Sequence, residues 1–256
     1  MAYIKIPNLP TEAVTSVLID GRAPQGIKDS LERLDIEVVT TLAHPDVYPA
    51  VAFHPDIMLH HIGSNIFVYA PNTPLALLEA LRTKGFELLE GKTFLGNKYP
   101  GTIAYNVARV GKYAFHNTRY TDPLLKELLE AEGVELIHTN QGYTKCLTCV
   151  VDENSIITSD KDILASALKH GLDVLLIEPD EAIRLEPFNM GFIGGATGLI
   201  NKNKLAVAGN LSFHKNYIKI MDFLSLKYSD VVMLNDDKLI DIGTIIPLEQ
   251  TRQIKL

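Results

Sequence analysis

Tryptophan is absent from these 256 residues, and cysteine occurs only twice, at Cys146 and Cys149. Two cysteines exclude a disulfide framework and a zinc centre built from cysteines alone. No apolar run approaches the roughly 18 residues of a membrane span, and the opening MAYIKIPNLP lacks a basic stretch leading into an apolar core. A cytoplasmic protein that does not engage a membrane is expected. Basic excess is missing too: 24 Lys and Arg stand against 31 Asp and Glu, a formal charge of −7, so the basic footprint of a nucleic-acid binder is not there. No Pro/Gly/Ser-rich linker or low-complexity tract interrupts the chain, which predicts one domain over residues 1–256.

What is present is a repeat. With 46% hydrophobic and 21% charged residues, the chain has apolar material for a full core. A strand, a tight turn, a second strand, a helix and a third strand recur about every 48 residues. Gly85, Gly133 and Gly171 each stop a helical pattern (TPLALLEALRTKG, DPLLKELLEAEG, KDILASALKHG) and are followed at once by an apolar strand. Thr73 and Asp122 precede Pro74 and Pro123, the pattern of an N-cap with proline at the first helical position. The hairpins DIMLHHIG-SN-IFVYAP, TIAYNVARV-GK-YAFHN, KCLTCVV-DEN-SIITSD and GFIGGATGLI-NKNK-LAVAGN complete four units.

The fifth unit is split: SVLIDG, a helix near Pro24 to Leu34 and IEVVTTL lie at the front, and KLIDIGTIIPL at the back supplies the missing first strand. The predicted fold is α/β, a five-bladed α/β propeller of about five ββαβ repeats whose C-terminal strand closes the first blade. Third strands starting at Ile36, Phe86, Val134, Leu172 and Asp230 differ by 50, 48, 38 and 58, which predicts no long insertion.

In a closed ring the first strand of each hairpin lies nearest the axis, so equivalent positions meet at one mouth. His54 is nine residues before Gly63, Cys146 eight before Asn154, and Gly194 eight before Lys202. A histidine and a cysteine thus fall at one level. A thiolate is a nucleophile, and a nearby imidazole lowers its pKa and delivers a proton to a leaving group. The bland reading is a buried small cysteine and a satisfied core histidine.

Other residues invite plainer accounts. Gly194, Gly195 and Gly198 precede a hairpin rather than a helix, so they suit packing, or close approach of a ligand to backbone amides, better than a phosphate cradle. Residues three apart on a strand face opposite ways, which makes Cys149 core rather than the redox partner of Cys146. Lys145 reads as solvated, or as a group that tunes Cys146 or binds an anion. Asn106 joins Lys145, Gly194 and Gly195 as a candidate ligand contact. His60 and His61 point oppositely and have no local carboxylate pair to complete a site with His54, so neither metal nor cofactor is expected. Asp160 reads as a helix cap. Asp20, Arg22, His116, Asn117, Asn210 and His214 fall in rim loops without an assigned role.

HPDIMLHHIGSNIFVYAP resembles the histidine segment of the guanidino-group-modifying enzymes, the pentein fold of arginine deiminases, agmatine deiminases, dimethylarginine dimethylaminohydrolases and amidinotransferases. GYTKCLTC is similar to their cysteine strand, two units further round. With GFIGGATG, these segments most resemble an uncharacterised bacterial family of that fold, clostridial in type. The resemblance implies Cys146 as nucleophile, His54 as general acid and base, Asp56 as the carboxylate that grips a guanidinium or orients the histidine, and Asp241 in LIDIG as a second carboxylate. Where those enzymes carry a further substrate-gripping aspartate, this chain has Gly194, Gly195, Ala196 and Thr197.

The expected function is a cysteine-dependent hydrolase or transferase acting on a small guanidine- or amidine-like cation. The alternative is a non-catalytic ring that binds a small molecule or a protein partner, since the same fold serves as a ribosome anti-association factor. Edge strands and an apolar rim permit a homodimer.

Overall fold

The computed structural model describes residues 1–227 and 229–252. Five helices carry the same buried pair four residues apart: Ile27 and Leu31, Leu77 and Leu81, Leu125 and Leu129, Ile163 and Ala167, Ile220 and Leu224. One turn of helix brings positions i and i+4 to one face, so each helix presents an apolar stripe to a sheet and keeps its charged residues outside. Each large apolar side chain removed from water in this way contributes about 1.5–3 kcal/mol.

Four of the five helices cover a sheet of three strands in the same order, and the sheet of the split unit adds a fourth, Ala2–Tyr3, at its edge. In the second unit Leu59–Gly63 pairs antiparallel with Ile66–Tyr69, which pairs parallel with Glu87–Glu90 across the helix Leu75–Thr83. The pattern recurs for Ala108–Val110, Tyr113–His116 and Glu135–His138, for Thr148–Asp152, Ser155–Thr158 and Asp173–Leu176, and for Thr197–Asn201, Lys204–Val207 and Asp230–Met233. A two-residue turn suffices for the antiparallel step, whereas the parallel step needs the helical crossover. Third strands form the outer edges, are four residues long, and each begins with Glu or Asp. Short, charged edges discourage further strand addition.

The split unit closes as its halves suggested. Ile246–Gln250 lies between Ala2–Tyr3 and Val14–Ile19, with Ile246 opposite Leu18 and Pro247 opposite Val17, and Val14–Ile19 runs parallel to Glu37–Thr40. First strands of neighbouring units touch: Ala108–Val110 with Thr148–Asp152, that strand with Thr197–Asn201, and that one with Ile246–Gln250. No helix among the described residues is long and apolar enough to cross a membrane.

Three local expectations are corrected. Thr73 does not cap its helix, because its hydroxyl donates to the carbonyl of Ala70 and Pro74 stands at the N-cap. Asp122 and Asp160 do cap, each accepting two backbone N–H groups. The segment 177–196 is a genuine insertion before the hairpin of Thr197–Asn201 and Lys204–Val207, stabilised where Ile183–Arg184 pairs parallel with Leu239–Ile240. Finally, His54 and Cys146 are not strand residues. His54 is the N-cap of the one-turn helix Pro55–Met58 and Cys146 lies within the one-turn helix Thr144–Leu147, and each helix feeds directly into a first strand.

Candidate active site

Proline sets the local geometry at His54. A residue before proline is pushed out of the helical region, and His54 accordingly sits extended at φ −65° and ψ 120°, with Pro55 opening the turn that carries Asp56. Thr144 anchors the corresponding turn of Cys146, its hydroxyl lying 2.7 Å from the carbonyls of both Asn106 and Phe115.

Nitrogen, oxygen and sulfur atoms of His54, Asp56 and Cys146 lie within 4.8 Å of one another, and all three residues are buried. The Cys146 thiol donates to Oδ2 of Asp56 at 3.2 Å, and the Thr244 hydroxyl lies 2.9 Å from the same oxygen. Imidazole His54 stands between two further carboxylates: Nδ1 is 3.8 Å from Oδ1 of Asp241 and Nε2 is 3.8 Å from Oδ2 of Asp20. Both separations exceed a hydrogen bond, so neither ring nitrogen has a protein partner, and Oδ1 of Asp56 has none either. Buried polar atoms without protein partners call for a water, an ion or a ligand to satisfy them.

Burial, reinforced by the charges of Asp56 and Asp241, pushes the Cys146 thiol well above its ordinary range. Burial likewise raises the Asp241 carboxyl, against the opposing influence of His54. Asp241 is nevertheless well held, its Oδ2 accepting from the N–H of Phe192 at 2.9 Å and its Oδ1 from that of Gly243 at 3.1 Å.

The remaining expected contacts fall beside Cys146. Asn106 uses its whole side chain on the protein: Nδ2 donates to Sγ of Cys146 and to the Asp56 carbonyl, each at 3.1 Å, while Oδ1 accepts from the N–H groups of Lys145 and Cys146. Its amide is thus engaged with the Cys146 turn and with Asp56. Lys145 is not solvated but buried, its ammonium donating to Thr244 at 3.0 Å, and burial lowers its pKa. Gly194 and Gly195 act as spacers. A Cβ on Gly195 would stand 1.9 Å from Oδ1 of Asp241, and one on Gly194 would stand 2.4 Å from the carbonyls of Lys145 and Thr148. Cys149 is core, its thiol pushed by burial to about 11, and both cysteines are free.

Three groups that spacing alone did not select complete the site. Asp20 ends the strand Val14–Ile19 and is clamped by Arg22, whose Nη2 lies 2.7 Å from Oδ2. Thr244 follows Asp241 in the same loop, a proximity the sequence does display. Tyr48, Tyr143 and the insertion's Phe188 and Phe192 form apolar walls above Cys146, His54 and Asp241, around a cavity of about 250 Å³. A second, polar cavity of about 360 Å³, containing Arg22 and Arg184, adjoins it across Asp241 and Leu185.

Chemically, the cluster offers a thiol, an imidazole to move its proton, and three carboxylates that favour a cation. His54, Asp56 and Cys146 also form a donor set for one thiophilic metal ion, which the sequence pattern did not link because it weighed His54 only with His60 and His61.

The model of a family described as of unknown function (DUF6873) matches residues 18–246. No curated protein matches the chain. Among solved structures it is similar to SxtG, an amidinotransferase of the saxitoxin biosynthetic pathway from Microseira wollei, with TM-score 0.61 and 11% identity over 99% of each chain. A DDAH from Pseudomonas aeruginosa complexed with citrulline aligns with TM-score 0.55 and 10% identity over 88% of this chain and 93% of its own. Agmatine deiminase of C. jejuni gives 0.53 and 12% over 93% and 90%. At such identities the likeness is one of fold, and the fold they share is the pentein fold.

Proposed function

The chain belongs to the DUF6873 family and has the pentein fold, and from that premise we propose that it is a cysteine-dependent hydrolase or transferase acting on a guanidine- or amidine-like carbon. The observation that carries this reading is the meeting of the Cys146 thiol, the His54 imidazole and the Asp56 carboxylate within 4.8 Å, with Cys146 and His54 lining a cavity and Asp56 buried behind them. On the same reading residues 1–256 are one domain, and the five sheets are blades of an α/β propeller. Contacts between first strands at three of the five junctions support that ring. Two free cysteines suit a reducing, cytoplasmic compartment.

The resting thiol is protonated, held so by burial and by neighbouring carboxylates. A planar cation bound beside Asp56 and Asp241 offsets those negative charges, and the thiol then loses its proton to His54. Sulfur attacks the central carbon, forming the S–C bond of a tetrahedral adduct. His54 returns the proton to the departing nitrogen as the C–N bond breaks, leaving a thiouronium on Cys146. Water or an amine, deprotonated by His54, attacks the same carbon and releases the thiol; the choice between them separates hydrolase from transferase.

A haloacetamidine tests this on the purified protein. Alkylation of Cys146 at neutral pH, followed by mass spectrometry, is expected to run at least about tenfold faster with 2-chloroacetamidine than with neutral 2-chloroacetamide, and to vanish in Cys146→Ser. Equal, slow alkylation by both reagents would mean that the raised thiol belongs to a non-catalytic binding ring.

A further inference from the structure

The two cavities that meet at Asp241 differ in chemistry, and the reacting groups open onto only one of them. Cys146 and His54 line the smaller, apolar cavity; neither lines the larger one that holds Arg22 and Arg184. Above the thiol the walls are Tyr48, Tyr143, Phe188, Met190 and Phe192, and no lysine or arginine is among the lining residues. Tyr48 and Phe188 meet edge-on with centroids 6.1 Å apart, and Tyr143 and Phe192 face each other at 6.5 Å. The two tyrosine hydroxyls are turned on one another at 3.2 Å, and that of Tyr143 lies 2.6 Å from the Thr102 hydroxyl. These hydroxyls engage one another, and no cationic donor stands in the walls to receive a carboxylate tail.

We infer that the ligand of this site is a cation with an uncharged, apolar tail, an alkyl- or arylalkyl-guanidine or amidine, and not an amino acid. The inference rests on the cationic head proposed above and adds the nature of what the head carries. A carboxylate or ammonium placed among these aromatic walls loses its water without gaining a partner, whereas a ring gains contact on several sides. Size agrees: a cavity of about 150 Å³ accommodates benzene, so about 250 Å³ takes a planar head plus one ring-sized tail. Arg22 does not alter the balance, because Asp20 and the carbonyls of Pro49 and Ala50 already engage its guanidinium.

Calorimetric titration of the Cys146→Ser protein separates head from tail without turnover. The ligands are 2-phenylethylguanidine, methylguanidine, L-arginine and the neutral 2-phenylethylurea. Expected is at least tenfold tighter binding of 2-phenylethylguanidine than of each other ligand. Phe188→Ala in the same background, a change at a half-exposed side chain, is expected to narrow the gap between 2-phenylethylguanidine and methylguanidine. L-arginine binding as tightly as 2-phenylethylguanidine overturns the apolar tail and leaves the cationic head standing; loss of that binding in Arg184→Ala would assign the tail to the polar cavity. The urea binding as well as the guanidine removes the head reading while the apolar subsite stands. No binding by any of the four overturns both.

Discussion

The Sγ of Cys146 lies 3.2 Å from Oδ2 of Asp56, so the carboxylate proposed to orient a cationic substrate also favours the protonated thiol. Asp56→Asn removes the negative charge and leaves an amide of similar shape. A thiolate is destabilised by an adjacent carboxylate, so the substitution is expected to lower the thiol pKa, and one unit corresponds to a tenfold change in thiolate at a given pH below it. Alkylation by neutral iodoacetamide at pH 8 should therefore accelerate by about tenfold, while the preference for 2-chloroacetamidine falls. An unchanged pH–rate profile would show that the two side chains are not coupled.

Glycine replacements separate backbone strain from site geometry. Gly133 has φ 69° and nothing within 4 Å of an added Cβ, so Gly133→Ala costs only the left-handed backbone, about 1–2 kcal/mol, with Cys146 chemistry intact. Gly195 has ordinary backbone, yet its Cβ would collide with Asp241. Gly195→Ala is thus expected to abolish preferential amidine labelling. Thermal melts and labelling rates measured on both variants check the contrast.

Acid sensitivity follows from three buried imidazoles. Burial lowers His60 to about 3 and His61 and His116 to about 4, against an ordinary value of about 6.5. Between about pH 4 and 6.5 the unfolded chain binds protons that the folded chain refuses, so stability rises with pH across this window and is lost as pH falls through it. Near pH 5 these three contribute a difference approaching three protons, a slope of about 4 kcal/mol per pH unit, and His44 and His214, also lowered by burial, act in the same direction. Asp241, with its raised carboxyl, opposes this by at most one proton. Urea titrations at pH 5 and 7 should reveal the slope, and His60→Gln should reduce it by about a third.

Zinc is expected to inhibit. A thiolate, an imidazole nitrogen and a carboxylate oxygen within 4.8 Å of one another need only modest closure to share one ion. Zinc chloride at micromolar concentration should slow alkylation of Cys146, with a chelator restoring the rate. The effect should strengthen as pH rises, because zinc must displace the thiol proton. His54→Ala should weaken the block; equal protection in that variant would place the ion elsewhere.

The legible part of the fold was its repetition. Gly85, Gly133 and Gly171, with φ of 86°, 69° and 80°, end their helices because the left-handed residue there is glycine, and such punctuation survives in a linear string. Closure of KLIDIGTIIPL onto SVLIDG was readable from strand counting. Placement of His54 and Cys146 at one depth was readable from their distance to the turns, although the one-turn helices that carry them were not. Four-residue turns lie below the length at which periodicity speaks. Burial of Lys145 was hidden for another reason: Thr244, its partner, is 99 residues away. The aromatic walls escaped notice because they belong to an irregular insertion and to a loop, where neither a period of two nor one of 3.6 applies.

Threading of Ile246–Gln250 between two strands from the front of the chain has a consequence for biosynthesis. Asp241 and Thr244 leave the ribosome long after Cys146, and they gain their positions only when the final strand docks. Until then Cys146 lacks two of the groups that restrain it, so maturation of the thiol into its guarded state is a late, all-at-once event coupled to sealing of the first sheet.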